Sequence, residues 1–281
     1  MPHYTSDDRL GSGVPLGGIG AGKIEILPDG TCANFTHQNN WDTPSSSSTG
    51  PATSPGIIDA RVGHHFAIWA RRHVSADAGV GLSAGTGAGD GARVARLLQT
   101  ADVAGLPRVE RIEYEGSYPF ARLDYIDSNL PVQVRLEAFS PIVPGDSRLS
   151  AMPAALLVLH VTNTDPNAGS DVAIMATARN TVGSWNVGRF NRTVTDGDMA
   201  GVLFSVDSPL PTDSRAGTVC LATTRAAGEI SCEPAWNLKT ADPFSLTLAN
   251  EDLAPWSAFA ESGRLPLDLC PAPTPGPGHE H

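Results

Sequence analysis

The segment at residues 130–141, LPVQVRLEAFSP, constrains the fold more than any other part of this sequence. Apolar side chains occupy every second position, at Val132, Val134, Leu136 and Ala138, and polar side chains lie between them. Because successive side chains of a strand point to opposite faces, this period of two residues predicts a strand with one buried face. A half-buried strand of this kind is typical of an antiparallel sheet.

Short segments of the same character recur along the chain. Predicted strands lie at 64–71, 93–99, 109–114, 120–127, 131–139, 154–163 and 172–180, with weaker ones at 201–206, 218–223 and 229–234. A hairpin is also predicted around Asp29 and Gly30, where residues 23–28 and 31–37 would pair. No long stretch shows the 3.6-residue apolar period of a helix. The pattern predicts an all-β sandwich or barrel.

The composition argues against several classes of partner. The 281 residues carry a net charge of −11 and give a pI of about 5.1. Nucleic acids and anionic membranes bind basic surfaces, so we expect neither as a partner. No run approaches the ~20 apolar residues of a membrane span. The first residues, MPHYTSDDRL, lack the apolar segment of a signal peptide, so we expect a cytoplasmic protein.

The cysteines are expected to be structural. Cys32, Cys220, Cys232 and Cys270 include no pair with the two-residue gap of a zinc site. In a reduced compartment we expect free thiols. The alternative is that Cys220 and Cys232 face each other on adjacent strands.

Residues 17–23, GGIGAGK, resemble a phosphate-binding loop in their glycine spacing. A phosphate-binding loop needs Ser or Thr after the lysine and a helix beyond it, whereas here Ile24 opens an alternating strand. The sequence therefore favours a structural role, in which glycine permits positive φ angles and close backbone approach.

A second candidate is a sugar-facing cluster at His37, Asn40, Trp41 and Asp42. Carbohydrate sites combine a flat aromatic ring with amides or carboxylates that bind hydroxyl groups. The alternative is a turn in which the amide and carboxylate cap backbone groups while the ring packs inward. The same two interpretations apply to a further cluster around Trp185.

Other chemistry has little support in the residue pattern. His64 and His65 are neighbours on a predicted strand, so they face opposite sides and do not share a metal without a third element. No G-x-S-x-G motif is present for a serine nucleophile. Glycoside hydrolysis needs two carboxylates about 5–9 Å apart, and no spacing in the sequence pairs two of them. We assign no catalytic residue, metal or cofactor from the sequence.

Several stretches together resemble the N-terminal region of glycoside hydrolase family 116. They are residues 15–31 (PLGGIGAGKIEILPDGT), 34–44 (NFTHQNNWDTP), 118–163 and 256–265 (WSAFAESGRL). The resemblance extends from about residue 10 to about residue 265. The family includes the non-lysosomal glucosylceramidase, also called bile-acid β-glucosidase, and bacterial β-glucosidases.

The resemblance implies a fold and an activity. In such enzymes the N-terminal region is a large two-sheet antiparallel β-sandwich of the supersandwich type. It packs on a separate (α/α)6 barrel that carries both catalytic carboxylates and hydrolyses β-glucosides with retention of configuration. None of the barrel's motif positions matches this sequence. We therefore expect a scaffolding domain, with His37, Asn40, Trp41 and Asp42 as candidates for the rim of the substrate entrance.

The expected organisation is a sandwich domain at 1–265, a Pro/Gly-rich tail at 266–281 (PLDLCPAPTPGPGHEH), and no catalytic barrel in the chain. The barrel is expected either in cis or as a separate chain. The sequence leaves two alternative functions open, a stand-alone carbohydrate-binding module and one half of a split glycosidase.

Overall fold

The computed structural model describes residues 2–8, 10–36, 64–73, 90–103, 105–183, 188–207, 212–213, 215–224, 228–234 and 254–265. Strands dominate these residues, which confirms the predicted all-β fold. The chain forms two compact units, Met1–Arg179 with Phe259–Gly263, and Asn180–Ala258 with Arg264–His281. A single domain ending at residue 265 stays a prediction.

In chain order the strands are β1 (His3–Thr5), β2 (Val14–Leu16), β3 (Ile24–Ile26), β4 (Cys32–Ala33), β5 (His65–His73), β6 (Asp90–Leu97), β7 (Arg111–Ser117), β8 (Phe120–Ile126), β9 (Val132–Phe139), β10 (Leu156–Asn163), β11 (Ser170–Thr177), β12 (Arg189–Asp196), β13 (Met199–Val206) and β14 (Thr218–Thr224). Two helices are present among the described residues, α1 (Ser147–Ser150) and α2 (Ala254–Ser262).

The largest sheet of the first unit has five antiparallel strands in the order β1–β7–β8–β9–β10. Strand β9 confirms the prediction made from its alternation, since Val132, Val134, Leu136 and Ala138 are all buried. Glu137 and the other polar residues of β9 lie on the opposite face, which is at least partly exposed.

A second sheet, ordered β11–β5–β6, packs face to face with the first. Its central strand contributes Ile68 and Ala70 to the apolar core that also contains Leu123 and Leu136 of the five-stranded sheet. The structure therefore confirms a two-sheet antiparallel sandwich. Each Å² of apolar surface that leaves water stabilises a fold by about 25 cal/mol. This shared core is therefore the main contribution to the free energy of folding of the first unit.

A small third sheet, ordered β2–β3–β4, completes the described part of the first unit. Val14, Leu16 and Ile26 from this sheet belong to the same core. The Tyr114 hydroxyl donates to the Ile26 carbonyl oxygen over 3.1 Å and accepts from the Val14 amide over 3.1 Å. This phenol ties the small sheet to β7 of the five-stranded sheet.

The second unit contains the antiparallel sheet β12–β13–β14. The Asn180 side-chain amide donates to the carbonyl oxygens of Phe190 and Ser205 and to Asn191 Oδ1. The Arg189 guanidinium donates to backbone carbonyl oxygens, including that of Val182, over 2.7 Å. These polar contacts fix the chain that leads into the sheet.

Helix α2 was not expected from the sequence, because its nine residues are too few to give a sustained apolar period. Its C-terminal part belongs to the first unit, where Phe259 is buried and Arg93 donates to the Glu261 carbonyl oxygen over 3.1 Å. Across the described ranges, neither helix has the length and apolar character needed to span a membrane.

The cysteine prediction needs one correction. Cys32 and Cys220 are free thiols, as expected. Cys232 is disulfide-bonded, so the expectation of a free thiol is wrong at that position. The proposed pairing of Cys220 with Cys232 is also wrong, because Cys220 is free.

Candidate interface at the glycine loop

The residues predicted to contact a sugar lie outside the described part of the chain. This applies to His37, Asn40, Trp41 and Asp42, and also to Trp185 in the second cluster. The structure describes the chain up to Thr36, directly before the first of them.

The segment that precedes this cluster is bonded to the base of the glycine loop. The Thr36 amide donates to the Lys23 carbonyl oxygen over 2.9 Å, and the Lys23 amide donates to Thr36 Oγ1 over 3.1 Å. Residue 36 is therefore held beside the point at which the glycine loop, residues 17–23, enters β3.

A buried carboxylate, that of Glu25, links the segment before β2 to the segment after β4. Glu25 is 1% exposed, and its Oε2 accepts from Ser12 Oγ (2.9 Å), the Gly13 amide (3.1 Å) and Asn34 Nδ2 (2.7 Å), while Lys23 Nζ contacts Oε1. Burial by itself raises the pKa of Glu25, but the Lys23 contact and the three hydrogen bonds outweigh it, so the pKa is lowered. Glu25 therefore stays ionised and joins both arms of the hairpin.

Glycine is required at several positions of the loop. Gly20 and Gly22 have φ of +78° and +84°, a region that disfavours other residues. Gly18 meets a different constraint, because a Cβ there would lie 2.3 Å from the Met152 carbonyl oxygen. The loop thus lies directly against the backbone of the segment after α1, as expected for a structural glycine loop. It leads into strand β3 and not into a helix.

Two hydrogen bonds hold the loop in this position. The Gly17 amide donates to Ser140 Oγ over 2.7 Å, and the Ile19 amide donates to the Ser150 carbonyl oxygen over 2.8 Å. Ser150 is itself anchored, since its Oγ accepts from the Val143 amide over 3.0 Å. The side chain of Asp146 caps α1 by accepting from the Leu149 amide over 2.9 Å.

Four large apolar side chains on the loop and on the segment that it contacts are exposed. The exposed fractions are 61% for Ile19, 41% for Leu149, and 40% for both Val143 and Met152. We name these four residues the loop patch. Single exposed apolar side chains are common on protein surfaces. Several of them on segments that are bonded to each other are typical of a contact site for another protein.

The two neighbouring histidines occupy different environments. The His64 ring lies 4.6 Å from the Phe35 ring, whereas His65 is buried and neither of its ring nitrogens has a hydrogen-bond partner. Burial lowers the pKa of His65 to about 4, so this side chain is neutral at physiological pH. Over the described ranges, no group of three His, Cys, Asp or Glu residues is placed to hold a metal ion.

Carboxylates on the outer face of the five-stranded sheet are engaged in ion pairs. Arg122 contacts Glu115 (3.6 Å) and Asp124 (3.0 Å), and Arg135 Nε lies 2.6 Å from Asp124 Oδ1. Their neighbour Glu137 lies 3.1 Å from the His160 ring. These pairs neutralise charge across the sheet surface. Each exposed pair contributes about 0–1 kcal/mol to the free energy of unfolding.

The glycine loop was predicted to be structural, but the exposed apolar surface beside it was not predicted. Ile19 is the one large apolar residue between Gly17 and Gly22, and this isolation is a signal that could have marked it. The approach of residues 149–152 to the loop has no such signal, because more than a hundred residues separate the two segments.

Comparison with known proteins relates the chain to one family. A family model described as "beta-glucosidase 2, glycosyl-hydrolase family 116 N-term" matches residues 13–278. The search of curated proteins gave no match. The family match covers both compact units and the segments that carry the resemblance noted from the sequence.

Proposed function

This chain belongs to the family of N-terminal domains of glycosyl-hydrolase family 116, and on that premise we propose that it supports the catalytic domain of a retaining β-glucosidase. An N-terminal domain of a glycosidase implies a catalytic domain elsewhere. The proposal specifies that domain as an (α/α)6 barrel, in cis or as a separate chain, and its substrate as a β-glucoside. The role of the present chain is to bind and position that domain.

The loop patch is the observation that carries this proposal. Its four side chains are apolar and 40–61% exposed, while the backbone beneath them is fixed by the bonds from Gly17 and Ile19. A surface already fixed before binding loses little conformational entropy when a partner docks. Exposed apolar groups on such a surface gain about 25 cal/mol per Å² when they leave water. The patch therefore suits a permanent protein contact.

The position of residue 36 adds a second line of support. Thr36 is bonded to Lys23 at the base of the glycine loop, so the chain enters the predicted rim segment beside the surface that we assign to docking. We propose that His37, Asn40, Trp41 and Asp42 line the substrate entrance of the assembled enzyme. A partner at the loop patch would then lie close to the start of that segment.

The proposal leaves the chemistry to the catalytic domain. Retaining hydrolysis needs a nucleophile and an acid/base carboxylate close together. The outer-face carboxylates of the five-stranded sheet are instead paired with Arg122, Arg135 and other cations, and Glu25 is enclosed by donors. These contacts favour structural roles for those carboxylates.

The test is a calorimetric titration of this chain with a separately produced catalytic domain of family 116. We expect saturable binding that Ile19→Ser and Met152→Ser each weaken about tenfold, equivalent to about 1.4 kcal/mol. Met199→Ser is the matched control, because Met199 is 48% exposed on β13 and outside the loop patch. Absence of binding, or equal loss of affinity in the control, would contradict the proposal.

A further inference from the structure

The two main sheets of the first unit both end on the same side of the sandwich. Strand β10 is an edge of the five-stranded sheet and β11 is an edge of the second sheet. Only six residues, 164–169, connect them. The Asn163 side chain at the end of β10 donates to the Ala168 carbonyl oxygen over 2.6 Å and accepts from Ser170 Oγ over 3.5 Å at the start of β11. The end of β10 and the start of β11 therefore lie close together.

The apolar core is open between these edges in the part of the chain that the structure describes. Val172 and Ile174 pair with Ala70 and Ile68, which belong to the core shared with the five-stranded sheet, so all four side chains lie on the inner face of the second sheet. Nevertheless Val172 is 37% exposed and Ile174 is 38% exposed. Side chains on the inner face of a sandwich are normally covered by the facing sheet. Among the described residues, therefore, no segment fully covers this side of the core.

The edges on the opposite side carry the usual protection against pairing with another chain. Strand β1 has only three residues. Strand β6 shifts register against β5 between Arg71 and His73, which marks a bulge or irregularity, and it carries the cationic residues Arg93 and Arg96. Short length, bulges and charged side chains are the features by which native edge strands avoid further pairing.

Strands β10 and β11 lack this protection. Strand β10 has eight residues, LLVLHVTN, with no Lys, Arg, Asp, Glu or Pro, and it pairs with β9 in unbroken register. Strand β11 also has eight residues in unbroken register, and its one charged residue, Asp171, already binds Arg71 and His73. Within the described part of the chain, both edges therefore present a regular row of backbone groups to which a further strand could pair.

We propose that a second copy of this chain covers the open side, with β10 pairing antiparallel to its counterpart and β11 to its counterpart. A two-fold axis perpendicular to the sheets brings each edge against itself, so both pairs form in one contact. The contact would extend both sheets across the dimer and cover Val172 and Ile174.

Charge favours self-pairing at these strands. Each chain carries a net charge of −11, so two copies repel each other wherever acidic surfaces meet. Strand β10 contains no Lys, Arg, Asp or Glu, its His160 ring lies 3.1 Å from Glu137 of β9, and Asp171 of β11 is paired with Arg71. This surface therefore meets its own copy without like-charge repulsion. It is separate from the loop patch, and the inference does not depend on the proposed function.

The experiment is sedimentation of the full chain from about 1 µM to about 200 µM, since a dimer depends on concentration. We expect a species of twice 29.3 kDa at the upper end. Val158→Lys and Val172→Lys, both at edge positions, should each raise the dimer dissociation constant at least about tenfold. Ile19→Lys, which adds the same charge within the loop patch, should leave the dimer intact.

Hydrogen exchange of the unmodified chain keeps the inference testable if the lysine variants fail to fold. We expect the amides of β10 and β11 to be protected at high concentration and to exchange faster on dilution. A monomer at all concentrations would overturn the inference. So would a dimer that both edge variants leave unchanged, or edge amides whose protection is independent of concentration.

Discussion

The main-chain amide of Ile19 donates to the carbonyl oxygen of Ser150 over 2.8 Å, although the two residues are far apart in the sequence. This bond places the tip of the glycine loop against the last residue of α1. The Ile19 side chain is exposed, as are those of Leu149 and Met152 on the segment that the loop contacts. A local feature of the sequence, a run of glycines, thus becomes part of a non-local surface that suits a protein partner.

The first prediction concerns the close approach of the loop. Gly18→Ala should destabilise the fold by about 2–3 kcal/mol, because its Cβ would lie 2.3 Å from the Met152 carbonyl oxygen and 2.6 Å from the Ala151 carbonyl oxygen. Gly11→Ala is the matched control, since nothing lies within 4 Å of a Cβ there. Urea unfolding measures both, and equal stabilities for the two variants would refute the close contact.

The second prediction concerns the buried carboxylate. Glu25→Gln should lower the free energy of unfolding by about 2–4 kcal/mol, because an amide cannot accept every bond from Ser12, Gly13 and Asn34 or neutralise Lys23. Glu113→Gln should cost less than about 1 kcal/mol, since Glu113 forms an exposed pair with Arg111. A comparable loss in both variants would show that Glu25 has no special role.

The same carboxylate makes the stability of the fold depend on pH. The folded-state pKa of Glu25 lies below the ordinary 4.5, so the unfolded chain binds more protons in the interval between the two values. Its stabilisation is therefore complete above pH 4.5 and is lost as the pH falls through the folded value. Glu25→Gln should show a smaller loss of stability over this interval than the unmodified chain, as measured by denaturant unfolding at each pH.

His65 makes the stability of the fold depend on pH in a second, higher interval. Burial lowers its pKa from 6.5 to about 4, so the folded state excludes a proton that the unfolded state binds between these values. Stability should thus decline by about 2–3 kcal/mol as the pH falls from 6.5 toward 4. In His65→Phe this part of the decline should disappear. An unchanged pH profile in the variant would contradict the neutral, buried histidine.

A further prediction tests the proposed rim. In the assembled enzyme, Trp41→Ala should raise the KM for an aryl β-glucoside by about fivefold to tenfold, because a sugar would lose its apolar stacking surface. Trp256→Ala, a buried tryptophan in α2, should act instead through stability. Thermal unfolding distinguishes the two, and an unchanged KM in Trp41→Ala would remove that residue from the rim.

Much of the fold was predictable because its signals are local. The alternation at Val132–Ala138 identified β9 and its buried face, and the Asp29–Gly30 turn identified the hairpin between β3 and β4. Helix α2 was missed, because nine residues give only a short period. The bond of Cys232 was missed because cysteine spacing does not specify pairing.

The candidate site was less predictable, because it depends on contacts between distant segments. In the sequence, Glu25 is one acidic residue on an alternating strand, with no sign of a special role. Its contacts with Ser12, Lys23 and Asn34 form only in the folded chain. Likewise Leu149 and Met152 read as ordinary apolar residues. Only the fold shows that both are exposed and that their segment contacts the glycine loop.

The most direct test of the scaffolding role is hydrolysis of an aryl β-glucoside by three samples: this chain, a separately produced family 116 catalytic domain, and their mixture. We predict no turnover by this chain, and a mixture that is more active or more thermally stable than the catalytic domain by itself. Ile19→Ser should reduce that gain. Turnover by this chain that is abolished by mutating one of its own carboxylates would contradict the account.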